Sequence, residues 1–131
     1  MINDTISDML TRIRNANLTK QNSVFVLNTK TNQRIGEILK KQGYIQSVKI
    51  PSSILNPIEI KLKYNGNLKK PCINNLKRLS SPGLRIYFSY KKIPRILNGM
   101  GNIIISTSKG LMTDHEARIN KIGGEMLFSI W

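Results

Sequence analysis

The chain has 131 residues, of which 40% are apolar, and a formal net charge of +14. That length holds one domain or two small lobes, and the apolar share supplies a real core, which excludes a disordered basic tail. A single cysteine, Cys72, excludes an internal disulfide or a thiolate metal site, and no apolar run approaches the roughly 18 residues of a membrane span.

The first element is an amphipathic helix. Thr5 and Asp8 have the spacing of a capping box, and Ile6, Met9, Leu10, Ile13 and Ala16 recur on one stripe as far as Asn17. Val24 to Leu27 reads as a short strand. A second helix begins near Thr31, turns Ile35, Ile38 and Leu39 inward and stops at Gly43. Tyr44 to Ile50 is a strand ended by Pro51. Ile58 to Tyr64 alternates strictly, as a half-buried strand does, and Asn65-Gly66-Asn67 turns the chain. These elements make an N-terminal lobe, residues 1–66, with the order α-β-α-β-β.

Residues 67–131 are expected to form a second lobe that is mostly β. Ile73 to Leu79 and Leu84 to Phe88 are candidate strands either side of a Ser81-Pro82-Gly83 turn, and Ile93 to Leu97 is a possible helical turn before Asn98-Gly99. Ile103-Ile104-Ile105 is a buried strand. Thr113 and Glu116 form a second capping box, predicting a short helix through Ala117, Arg118 and Ile119 that ends at Gly123-Gly124. Glu125 to Trp131 is a last strand with Met126, Phe128 and Ile130 on one face. The fold class is therefore α/β of the α+β kind, in two lobes.

The chemistry concentrates after the triple isoleucine. Ser106-Thr107-Ser108-Lys109-Gly110 places three hydroxyls, an ammonium and a glycine at the end of a buried strand, where hydroxyls and backbone N–H groups can bond sugars, phosphates and base edges. From Ile60 to Thr113 there are eleven lysines and arginines and no acid. Charge of one sign attracts polyanions, with RNA the first candidate. Tyr87 and Tyr90 serve either packing or base stacking. Catalysis has little support: Ser108, His115 and Asp114 supply the residue types of a relay, but adjacent His and Asp on one helical turn point apart. No cofactor, metal, membrane or small-molecule substrate is expected.

The run Asn98 to Gly124, with Ser106-Thr107-Ser108-Lys109-Gly110-Leu111-Met112-Thr113-Asp114 at its centre and Glu125 after it, resembles the C-terminal signature of the small-subunit ribosomal protein eight family, bacterial type. The likeness extends through Leu76-Lys77-Arg78, Ser81 to Tyr87, Ile93-Pro94-Arg95 and the N-terminal Asp8 to Ala16. His115 and Phe128-Ser129 depart from it, standing where bacterial members usually have arginine and Cys-Tyr. The resemblance implies a structural, non-catalytic constituent of the small ribosomal subunit. It implies a primary binder of the central domain of small-subunit ribosomal RNA, active early in assembly, with ribosomal protein five as a protein neighbour. It implies RNA contact at Ser106, Thr107, Ser108 and Lys109, with Tyr87, Gly124 and Glu125 beside them, and at Thr5, Arg12, Arg14 and Asn15 in the first lobe. Arg85, within the matching run, completes the candidates. Ile, Asn and Lys total 48 residues and Ala only two, the bias of an AT-rich genome. A plastid ribosome is the first expectation from that bias, ahead of an AT-rich bacterium's cytoplasm or a mitochondrion.

Overall fold

The computed structural model describes residues 5–131. The chain divides into two compact units, one running as far as Asn74 and the other comprising Asn75–Trp131.

The first unit contains α1 (Thr5–Leu18), β1 (Ser23–Val26), α2 (Lys30–Lys41), β2 (Ile45–Lys49), β3 (Ile58–Leu62) and a minimal hairpin of β4 (Tyr64–Asn65) and β5 (Lys70–Pro71). β3 lies between β1 and β2, antiparallel to both. Met9, Leu10, Ile13 and Ala16 of α1 and Ile35, Ile38 and Leu39 of α2 are buried, as are Val26, Ile58, Ile60 and Leu62 of the sheet. The helical stripe and the strand alternation thus meet as the core of this unit. α2 starts at Lys30, next to the expected Thr31, and Thr29 caps it, its hydroxyl accepting the Asn32 N–H at 3.1 Å. Thr5 is already helical in the structure, and the residues before it lie outside the described region. The Tyr64 hydroxyl donates to the carbonyls of Ala16 and Gln21, tying the end of α1 to the chain after β3. Burial raises the pKa of this phenol.

The second unit contains β6 (Leu76–Arg78), β7 (Tyr87–Phe88), β8 (Asn102–Thr107), β9 (Gly110–Thr113), α3 (Asp114–Ile119) and β10 (Gly124–Ile130). β10 pairs with β8 along one edge and with both β6 and β7 along the other, and β9 continues the sheet beyond β8. Ile103, Ile104 and Ile105 are all fully buried, so both faces of β8 are covered, which is why this strand reads as an unbroken apolar run. Ile103, Ile105, Met112, Ala117, Met126 and Ile93 form one buried cluster, with Leu79, Ile86, Tyr90 and Ile96 packed against it.

Three local expectations change here, and one strand is added. Ile93 to Leu97 is not a helical turn. Short 3-10 turns lie at Tyr90–Lys92 and Leu97–Gly99, while Ile93 is extended at φ −64 and ψ 121, because a residue preceding proline is driven out of the α region. Leu84 to Phe88 is strand only at Tyr87–Phe88. Before it, the Ser80 hydroxyl occupies the Ile86 N–H at 2.8 Å, and Ser81 and Leu84 close a tight turn. Leu111 to Thr113 is a strand that alternation over so few residues did not reveal. The last strand does not alternate simply, because a bulge between Met126 and Phe128 interrupts its pairing with β8. Every residue from Met126 to Ile130 is buried.

α3 is capped as its sequence implies, Thr113 accepting the Glu116 N–H at 3.2 Å. Asp114, 1% exposed, accepts the Ile103 N–H at 3.2 Å and pairs with Arg118 at 3.0 Å. Arg118 in turn donates to the carbonyl of Pro94 at 2.8 Å. One carboxylate therefore connects β8, α3 and the extended segment around Pro94. Replacing Arg118 by Met leaves that carboxylate buried without its cation and is expected to cost about 3 kcal/mol. Replacing Arg12, whose pair with Asp8 is half-exposed, is expected to cost less than about 1 kcal/mol. Urea unfolding midpoints of the two variants check the difference.

Candidate nucleic-acid interface

β8 and β9 form a hairpin whose last pair is Thr107 with Gly110, so Ser106 and Thr107 belong to the strand and only Ser108 and Lys109 make the turn. Neither turn residue takes a positive φ, and Gly110 takes +105°. A short turn followed by glycine in the left-handed region closes such a hairpin without strain. The Thr107 hydroxyl donates to the Gly110 carbonyl at 2.8 Å and accepts the Lys109 N–H at 3.1 Å. The three hydroxyls of the sequence thus divide their work: Thr107 secures the turn, Ser108 and Lys109 are exposed at its tip, and Ser106 is half-buried beneath it.

Strand register extends the site sideways. Tyr87 pairs with Glu125, Glu125 with Ser106, and Ser106 with Leu111. Directly paired residues share a face of a sheet, so these four side chains form one row across β7, β10, β8 and β9. The neighbouring row, Ile105 with Met126 and Met112, faces the buried cluster instead. Tyr87 is 66% exposed, which makes it an available ring rather than a packed one. Gly124 has a steric role: a Cβ there would strike the Ser106 carbonyl oxygen, so only glycine lets β10 approach β8 this closely at the start of the row.

Arg85 Nη1 lies 3.1 Å and 3.3 Å from the two carboxylate oxygens of Glu125. The structure thus joins Arg85, Tyr87, Ser106 and Glu125 into one surface, continuous with the hairpin tip. Leu111 completes the row and was missed by sequence reasoning. The available signal was its place immediately after Gly110, where the paired strand of a hairpin begins.

Thr5, Arg12, Arg14 and Asn15 lie on α1, in the other unit. Arg12 and Asn15 are exposed beside one edge of the buried stripe, Thr5 is half-buried close to that stripe, and Arg14 stands about 200° around the helix from Arg12. Arg12 is paired with Asp8, and Asn15 is exposed. The acid-free tract is also divided: Lys61, Lys63, Lys69 and Lys70 belong to the first unit, and its other seven cations to the second.

A serine relay is not assembled. Asp114 is committed to Ile103 and Arg118, whereas Ser108 and His115 are exposed on the hairpin tip and on α3. Among the described residues no group of three His, Cys, Asp or Glu side chains is placed to hold a metal ion, and no helix is long and apolar enough to cross a membrane.

The family model for ribosomal protein S8 matches residues 4–131. Small ribosomal subunit protein uS8c of Tupiella akineta is 67% identical over 131 residues, with both chains covered in full. The proteins of the same name from Oltmannsiellopsis viridis and Chlorella vulgaris are 54% and 51% identical, again over the full length of each chain. These relatives are of the chloroplast type, which supports the plastid ribosome expected from the composition. A structural ribosomal constituent, not an enzyme, is what a whole-chain match of this kind defines: the chain belongs to the ribosomal protein S8 family.

Proposed function

We propose that this chain binds the central domain of small-subunit ribosomal RNA and supports early assembly of the subunit. In this reading the second unit, Asn75–Trp131, supplies the specific contact. The observation that carries it is the hairpin tip. Ser108 and Lys109 stand exposed on a turn that Thr107 already stabilises, beside a sheet row bearing Tyr87, Glu125 and Ser106. A hydroxyl and a cation held on a stiff hairpin can enter a shallow RNA groove, where shape and 2′-hydroxyls are read, and an exposed tyrosine can stack on an unpaired base. The dispersed lysines add sequence-independent affinity through counterion release. On the first unit, the exposed Arg12 and Asn15 are proposed as a further RNA contact, with Thr5 at the start of α1 and Arg14 on another side of the helix as the remaining candidates. The central domain as target, and ribosomal protein five as protein neighbour, rest on the family resemblance. Cross-linking within assembled subunits tests the protein neighbour.

Filter binding over a salt series, with a central-domain stem and a scrambled stem of equal length, tests the RNA reading. The unmodified chain is expected to prefer the cognate stem at all salt concentrations, and equal, steeply salt-dependent binding to both would overturn it. Ser108→Ala is expected to cost about 1 kcal/mol on the cognate stem alone. Lys70→Ala should weaken both stems alike and reduce the salt slope by about 1. Thr107→Val removes the hydroxyl that closes the turn, so it should lower both cognate affinity and unfolding stability, each by about 1 kcal/mol. Unchanged stability in that variant would contradict the holding role of Thr107.

A further inference from the structure

We propose that the outer edge of β1 is a docking strand for another protein of the small subunit, taking an extended segment that is apolar at alternate positions and acidic beyond them. The inference goes beyond RNA binding and uses none of the residues assigned to it. β1 lies at one side of its sheet, paired only with β3. The Leu62 N–H donates to the Asn22 carbonyl at 2.9 Å, and hydrogen-bonded pairs alternate along an antiparallel ladder. Val24 with Ile60 and Val26 with Ile58 are therefore the bonded pairs, and Ser23 and Phe25 turn their N–H and carbonyl groups to the free side. Among the described residues neither has a hydrogen-bond partner on that side. β2, the opposite edge, carries a bulge between Ile45 and Ser47 and ends in Lys49, and both features discourage pairing. β1 has neither.

Side chains and charge say what fits this edge. Residues 21–29 contain no charge, in a chain of which 21% is charged. Residues 50–58, most of them in the loop between β2 and β3, contain none either. Asn28 donates to the Ser53 carbonyl at 3.3 Å, which ties that loop to the chain just after β1. Phe25, Leu27, Ile54 and Leu55 are all exposed. An uncharged apolar surface of this kind suits a protein and offers nothing to phosphate. A row of unpaired N–H and carbonyl groups is completed by a polypeptide backbone, which adds a strand, whereas a sugar-phosphate backbone has no such alternation. Cations bracket the run, with Lys20 and Lys30 at its ends and Lys61 opposite Ser23. They set the flanks of the occupant as acidic. A second copy of this chain does not meet that requirement, because antiparallel pairing of two β1 strands about Phe25 brings Lys20 opposite Lys30.

The test reads amide hydrogen exchange residue by residue in three states: the free chain, the chain on protein-free small-subunit RNA, and the chain within assembled small subunits. Val24 and Val26 are expected to exchange slowly in all three, since β3 holds them. Ser23 and Phe25 are expected to exchange freely in the first two and to slow by about tenfold or more in the third. Free exchange of Ser23 and Phe25 within assembled subunits overturns the proposal. Equal slowing on RNA without proteins, or on concentrating the free chain, also overturns it and assigns the edge to RNA or to a second copy. Two variants give a separate readout, each with its thermal unfolding recorded. Phe25→Pro removes an N–H that β3 does not use and sets a ring without a donor on the edge, whereas Phe25→Thr removes the aromatic ring and keeps the N–H. Each competes with the unmodified chain for incorporation into reconstituted subunits. The share of Phe25→Pro is expected to fall about tenfold and that of Phe25→Thr about threefold or less. Undiminished incorporation of Phe25→Pro, or equal losses in the two variants, contradicts strand addition. Should Phe25→Pro fail to fold, exchange in the unmodified chain decides.

Discussion

β10 is the strand on which the second unit depends. It is paired on both edges, with β8 on one and with β6 and β7 on the other, and from Met126 to Ile130 it is buried throughout. A strand so enclosed has little freedom of register, since a slip of one residue would exchange its inward and outward sets. The bulge after Met126 absorbs the one irregularity and keeps Met126 over the buried cluster while Glu125 remains in the row with Tyr87 and Ser106. Gly124 then permits the close backbone contact with β8 that starts this alignment. Core packing and the proposed recognition surface are consequently two faces of the same register.

Two ion-paired carboxylates among the described residues of this unit, Asp114 and Glu125, illustrate how environment divides roles. Asp114 is almost wholly buried, bonded to a backbone N–H and to Arg118, and holds together segments distant in sequence. Its worth is structural, because removing its cation would leave an uncompensated charge in the interior. Glu125 lies at the boundary of the sheet surface, its partner Arg85 half-exposed and attached through a single nitrogen. The first carboxylate has no acceptor capacity facing outward. The second meets its cation at the sheet surface, beside the row where RNA is proposed to bind.

Affinity and selectivity are assigned to different residues for a physical reason. Lysines such as Lys70, exposed on a minimal hairpin of the first unit, act as point charges whose effect is screened by salt and indifferent to sequence. Ser108, by contrast, is presented by a turn whose geometry the Thr107 hydroxyl and the Gly110 backbone conformation both restrain. A hydrogen bond discriminates only when its donor and acceptor are held in place beforehand. Restraint of that tip is therefore what the proposed specificity requires.

Much of this was readable from residues alone. The helical stripe of α1, the alternation of β3, the Thr113–Glu116 capping box and the triple-isoleucine strand are local patterns, set by periodicities of 3.6 and 2 that need no partner to be recognised. The hydroxyl-rich turn and the acid-free tract were equally plain, since composition and order are sequence properties. Tertiary structure decided what depends on segments far apart in the chain. It joined Tyr87, Glu125, Ser106 and Leu111 into one row, although they span residues 87 to 125. It gave Asp114 to Arg118 and Ile103, not to His115, and Arg85 to Glu125. It also separated the three hydroxyls, turning Thr107 inward on its own hairpin. Register, long-range ion pairs and the choice between inward and outward bonding are set by packing across the sheet, and no periodicity along the chain encodes them.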